Sequence, residues 1–190
     1  MIICIMLDGI KSIKQKYTLK QLRKEQPLKQ IVNMDTVKNI AIVFHVGDEL
    51  SWKYLYAIVR ELEKANKRVF LIGDQAADME LNYIITHSQT TICHEKEDFD
   101  FWGFPKENVV ENFFARHYDI LIDVTSGDSF FSQYMVLKSG SDLNITYVDD
   151  SQEVNPLINQ LYDFTIHGKE PIVLPDFFEN VCNYLQMVQK

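Results

Sequence analysis

Glycine is scarce. The chain has seven glycines in 190 residues, and no two of them are close together. A dinucleotide fingerprint or a phosphate-binding P-loop needs several glycines side by side, so that backbone can approach phosphate. NAD, FAD and P-loop ATP use are therefore disfavoured, and no cofactor is expected. Cysteine is scarcer still. Cys4, Cys93 and Cys182 are odd in number, far apart and form no C-x-x-C. That usage fits a reducing compartment and neither a disulfide framework nor a zinc knuckle. No stretch approaches the roughly 20 apolar residues of a membrane span. Met1 to Leu7 is too short for a signal-peptide core and has no basic region ahead of it. A cytoplasmic protein without a transmembrane segment is the expectation. No G-x-S-x-G, H-E-x-x-H or EF-hand loop occurs either. His87, Cys93 and His94 match no standard metal spacing, so no metal site is expected.

What is present argues for a folded α/β domain. Hydrophobic residues make up 46% of the chain and aromatics 12%, which excludes a disordered polymer. The net charge of -8 is unevenly spread. Residues 1–38 carry eight basic and three acidic side chains, so +5, which leaves -13 for residues 39–190. An acidic body repels phosphate over most of its surface, which argues against nucleic-acid binding. Residues 1–38 read as a basic helical N-terminal arm, interrupted at Pro27. It either packs on the domain with a solvated lysine face or meets a partner or membrane surface.

From residue 39 onward, apolar runs alternate with helical patterns. Asn39 to Val46 is continuously apolar, as buried parallel strands are. Asp48 is suited to cap a helix carrying Leu50, Tyr54, Ile58 and Leu62 at helical spacing. Arg68 to Ile72 is a second strand and Thr90 to Cys93 a weak edge strand. Residues 76–85 read as a short helix or an irregular loop. Pro105 suits the first turn of a helix with Val109, Val110, Phe113 and Phe114 on one face. Tyr118 to Val124 is the central strand, followed by a helix from about Asp128 to Lys138, with Gly140 as its left-handed stop. Asn144 to Val148 and Tyr162 to Ile166 complete the strands, and Pro175-Asp176 opens the last helix. This alternation predicts a three-layer Rossmann-like fold over 39–190, with a mostly parallel sheet of five or six strands in the order 3-2-1-4-5-6.

That order places a topological switch point between the strands at 40–46 and 118–124, where open α/β sheets bind ligands. The residues expected there are His45, Gly47 and Asp48 on one side, and Asp123, Thr125, Ser126, Gly127, Asp128 and Ser129 on the other. A hydroxyl-rich turn at a helix N-terminus offers backbone N–H groups to a small anion. Asp128 opposes that with its own charge, and Ser or Asp at such positions also caps helices that bind nothing. Asp123 is either a site carboxylate or a strand-end group holding loop amides. Asp149 and Asp150 either join it in an acidic pocket or form a solvated loop. His45 is either a general base or a hydrogen-bonded strand-end residue. Residues 102–105 either pack over the sheet edge or expose aromatics to a partner.

Two resemblances follow from these residues. The basic arm, Ile40 to Phe44, Val69-Phe70-Leu71-Ile72-Gly73, Trp102-Gly103-Phe104-Pro105-Lys106, Tyr118 to Asp123 and Tyr162 to Ile166 resemble a family of short, uncharacterised Rossmann-like proteins from Bacteroidales and relatives. That likeness implies a fold and no activity. Residues 106–150 are similar to the N-terminal half of lipopolysaccharide heptosyltransferases, which follow such a strand with a polar, often Arg-containing loop. No arginine occurs here from Ser126 to Ser151, and no catalytic residue is carried over. The leading expectation is a non-enzymatic module that binds a protein partner or a small anionic ligand. The alternative is an enzyme acting on an anionic or sugar-like metabolite at the switch point, a glycosyltransferase-like half domain.

Overall fold

The computed structural model describes residues 2–26, 32–81, 83, 85–150, 158–168 and 174–187, with side chains from residue 9 onward. The elements in chain order are α1 (Ile2–Lys24), β1 (Asn39–His45), α2 (Glu49–Lys64), β2 (Arg68–Gln75), β3 (Thr90–His94) and α3 (Glu107–Phe114). They continue with β4 (Ile120–Asp123), α4 (Phe130–Ser139), β5 (Leu143–Asp149), α5 (Ile158–Leu161), β6 (Phe164–Gly168) and α6 (Leu174–Met187). The six strands form one sheet in the order β3-β2-β1-β4-β5-β6, and all neighbours are parallel. The predicted order and the switch between β1 and β4 are both present.

The strands read as continuous apolar runs because both sheet faces are covered. Side chains alternate across the pleat. Ile40, Ile42 and Phe44 enter a core with Trp52, Val59, Phe177 and Leu185 of α2 and α6. Ala41 and Val43 enter the opposite core with Val110, Phe113, Met135 and Val136 of α3 and α4. Helix α4 differs from the others: every residue from Phe131 to Leu137 is buried. One of its sides lies on the sheet, and α1 covers another. Leu19 of α1 belongs to the same core, and Gln26 Nε2 donates to the Leu137 carbonyl at 2.7 Å. An apolar helix of this kind needs such cover, since a helix apolar on all sides is stable only when enclosed.

Several boundaries differ from the expectations. Pro105 is not in a helical turn. It forms an antiparallel bridge with Phe99, and α3 begins two residues later behind Lys106. The loop closes on Asp100, whose carboxylate accepts from the Trp102 and Phe104 amides at 2.8 and 2.9 Å. Helix α4 begins at Phe130 behind a Ser129 cap, two residues after the expected start. The Ser129 hydroxyl accepts from the Ser132 amide at 3.1 Å. Tyr162 precedes β6 rather than opening it. The described part of 76–85 is irregular. Asp48 caps α2 through the Ser51 amide at 2.7 Å, and Gly140 ends α4 at φ 61°, both as anticipated. Pro27, Pro156 and Val188 lie outside the described residues.

Candidate functional site at the sheet switch point

The carboxyl ends of β1, β2 and β4 carry the polar groups. In the parallel register, His45 lies beside Asp74. Its Nδ1 donates to Asp74 Oδ1, and its Nε2 donates to Asp128 Oδ1 at 2.9 Å. These two hydrogen bonds, the one to Asp128 foremost, raise the His45 pKa to about 10 against the opposing effect of burial. At neutral pH the ring is therefore an imidazolium with both N–H groups in use. It has no lone pair with which to act as a base.

Asp123 has a different role. It is fully buried. One oxygen accepts from the Thr125 amide at 2.8 Å and the Thr125 hydroxyl at 2.7 Å. The other accepts from the Gly127 amide at 3.1 Å and from the Tyr162 hydroxyl. Desolvation pushes its pKa up, and these four donors pull against that shift. The carboxylate is thus the internal ligand of its own turn. Ser126 and Gly127 sit successively at φ 61°, the left-handed conformation that folds the chain around it. A Cβ on Gly127 would lie 2.7 Å from the Tyr162 hydroxyl oxygen, so glycine is required there. Gln133 Nε2 closes the turn by donating to the Gly127 carbonyl at 2.8 Å.

A cleft of about 570 Å³ opens beside this turn. The ends of β1 and β2 supply His45, Asp74 and Gln75, and the start of α4 supplies Ser129. Lys11 and Gln15 of α1 form another wall, with Asp100 and Gly103 beside them. Gln15 fixes that wall by donating from Nε2 to the Trp102 carbonyl at 2.8 Å.

The expected site residues therefore separate into groups. His45 and Ser129 line the cleft, and Asp128 is tied to it through His45. Asp123, Thr125 and Gly127 are buried in the turn behind it, with Ser126 at the bend. Gly47 and Asp48 border a separate shallow pocket, and the Gly47 carbonyl accepts from the Tyr83 hydroxyl at 2.9 Å. Asp150 pairs with His167 Nδ1 at 2.8 Å instead of joining Asp123. Sequence reasoning missed Asp74, Tyr162 and the contribution of α1. Asp74 carried a usable signal, a Gly-Asp pair at the end of the neighbouring strand. Tyr162 carried none, because its hydroxyl reaches Asp123 from 39 residues away.

Among the described residues, one group has three metal-ligating atoms close together: His117, Asp119 and Asp142, within 4.8 Å of one another at the opposite, amino-terminal edge of the sheet. Asp119 Oδ2 there already accepts from the Lys38 and Asn39 amides at 2.7 Å each, which anchors the chain as it enters β1.

Residues 11–188 match the model of a family of unknown function, DUF6913. The chain belongs to that family. The match takes in most of α1 together with the sheet, so the cleft wall formed by Lys11 and Gln15 falls within the family's extent. No curated protein and no solved structure matches the chain.

Proposed function

We propose that the protein is a non-enzymatic, cytoplasmic ligand-binding module, and that the cleft at the switch point holds a small polar ligand. The observation that carries this reading is the way the polar groups of the cleft are held. His45 is fixed as a doubly donating imidazolium by Asp74 and Asp128. Ser129 is occupied as the cap of α4. Asp123 is enclosed by its own turn. Nucleophilic catalysis at Ser129 needs a base with a free lone pair beside its hydroxyl. These groups are committed to shape instead.

Charge selects the ligand class. The cleft walls carry the carboxylates of Asp74, Glu95 and Asp100 against the cations Lys11 and His45, with Asp128 adjoining. The anion expected from the sequence would meet this surplus of negative charge. A neutral polyol or a small cationic metabolite fits it better, with the Asp74 and Glu95 oxygens as acceptors. Placement in a reducing compartment agrees with Cys93 and Cys182 being free thiols, both with pKa values raised by burial.

A thermal-shift screen of neutral and cationic metabolites on the full chain tests this. A ligand is expected to raise the unfolding temperature of the wild type and to lose its effect in Ala76→Trp, which fills the cleft from one wall. A shift that survives in Ala76→Trp would place the ligand elsewhere. Turnover of a bound compound would overturn the non-enzymatic reading.

A further inference from the structure

Helix α1 has two unlike faces. Leu19 and Leu22 turn inward onto the α4 side, and Gln26, two residues past the helix end, donates to the Leu137 carbonyl of α4. The outward face carries Ile10, Ile13 and Tyr17, spaced three and four residues apart and hence on one side of the helix. They are 49%, 69% and 63% exposed. Lys20 and Lys24 extend the same row by three and four residues, and Lys14 and Lys16 flank it; all four are exposed. Residues 9–24 contain six basic side chains and no acidic one, while residues 25–190 carry a net -13. The loop beside α1 carries a further exposed aromatic side chain. Lys14 Nζ lies 4.1 Å from the Trp102 ring centroid, and Trp102 packs edge-on against Phe101, which is 66% exposed.

We propose that this outward face of α1, together with Phe101, docks the protein onto an anionic lipid surface. Apolar side chains in the centre of a helix face, a tyrosine beside them and lysines around them are what a membrane interface rewards. The isoleucines enter the acyl boundary, the tyrosine sits at headgroup depth, and the lysine stems extend so that their ammonium groups meet lipid phosphates. A nucleic-acid backbone would use the lysines and gain nothing from Ile10, Ile13 or Phe101. The acidic remainder of the chain orients the molecule, because an anionic plane attracts α1 and repels the rest. Docking needs no rearrangement, since α1 already presents this face while its inner side stays on α4.

Co-sedimentation of the full chain with vesicles of phosphatidylcholine plus phosphatidylserine, against phosphatidylcholine alone, tests the proposal. Binding is expected only to the anionic vesicles and should weaken with added salt. Each lysine neutralised should cost roughly fivefold in partitioning, so Lys16→Gln/Lys20→Gln/Lys24→Gln should lose about a hundredfold. Phe101→Ser, on a different element, should also weaken binding. Both variants change exposed side chains, and unchanged thermal unfolding will show that they fold. If the wild type stays in the supernatant, or if the triple variant sediments like it, the proposal fails. It also fails if the wild type is a dimer without lipid and Ile13→Ser/Tyr17→Ser makes it a monomer, since a second copy then occupies the face.

Discussion

Removing one hydroxyl, in Tyr162→Phe, tests the enclosed turn directly. Phenylalanine keeps the ring volume, so no cavity opens and the surrounding packing is retained. What disappears is one of the four donors to the buried Asp123 carboxylate; Oδ2 keeps only the Gly127 amide at 3.1 Å. A hydrogen bond to a charged group contributes about 1.5–3 kcal/mol, so the folded state should lose about that much. In a chain of this length the loss corresponds to roughly 3–12 °C in the midpoint of thermal unfolding. The pH dependence has a definite sign. Burial raises the Asp123 pKa, and the Tyr162 hydrogen bond opposes that rise. Without the hydroxyl the folded pKa moves higher still. A carboxyl whose folded pKa lies above its unfolded value supports the fold fully below the unfolded pKa, and that support is lost as pH rises through the folded one. The penalty of Tyr162→Phe should therefore grow from acidic to neutral pH. Urea unfolding followed by the fluorescence of Trp52 and Trp102, at about pH 5 and about pH 7, measures both quantities. A loss below about 0.5 kcal/mol at neutral pH, typical of an inconsequential surface change, would show that the tyrosine is not what holds this carboxylate.

Other expectations rest on the same turn and its neighbours. Gly127→Ala should destabilise by about 2 kcal/mol or more, from the left-handed backbone and the clash with Tyr162, and part of that loss should be recovered when combined with Tyr162→Phe in a double-mutant cycle. The raised His45 pKa adds stability that is complete below about pH 6.5 and declines as pH rises through about 10. Because the His45 side chain is 38% exposed, water screening reduces this contribution to about 1–2 kcal/mol, and His45→Ala should flatten the alkaline limb of the stability profile. Ser129→Ala should cost about 1 kcal/mol in thermal or urea unfolding through loss of the α4 cap; an unchanged midpoint would mean that Asp128 or water substitutes for it.

The switch-point residues show how far local pattern carries. His45 was found because it ends an apolar run, and Asp123 because it interrupts one. Neither position reveals its partner. Asp74 is one strand away from His45, and Tyr162 approaches Asp123 from beyond β5. The opposite outcomes for these two residues, one on a cleft wall and one sealed inside a turn, follow from contacts that sequence spacing does not encode. The Pro105 bridge differs from expectation for a similar reason. Pro105 satisfies the rule for a first helical turn, but the loop closed on Asp100 took priority.

The chain's own letters determined the order of strands and helices, because helical apolar patterns are local and the two-sided burial of parallel strands leaves uninterrupted apolar runs. They also determined where the charge lies, a basic stretch over residues 1–38 ahead of an acidic remainder. Tertiary structure alone decided that α1 covers α4 and walls the cleft, and that His45 is held between Asp74 and Asp128. It also decided which carboxylates face water. Those outcomes depend on groups far apart in sequence meeting at a few ångströms, where burial and hydrogen bonding fix protonation and access.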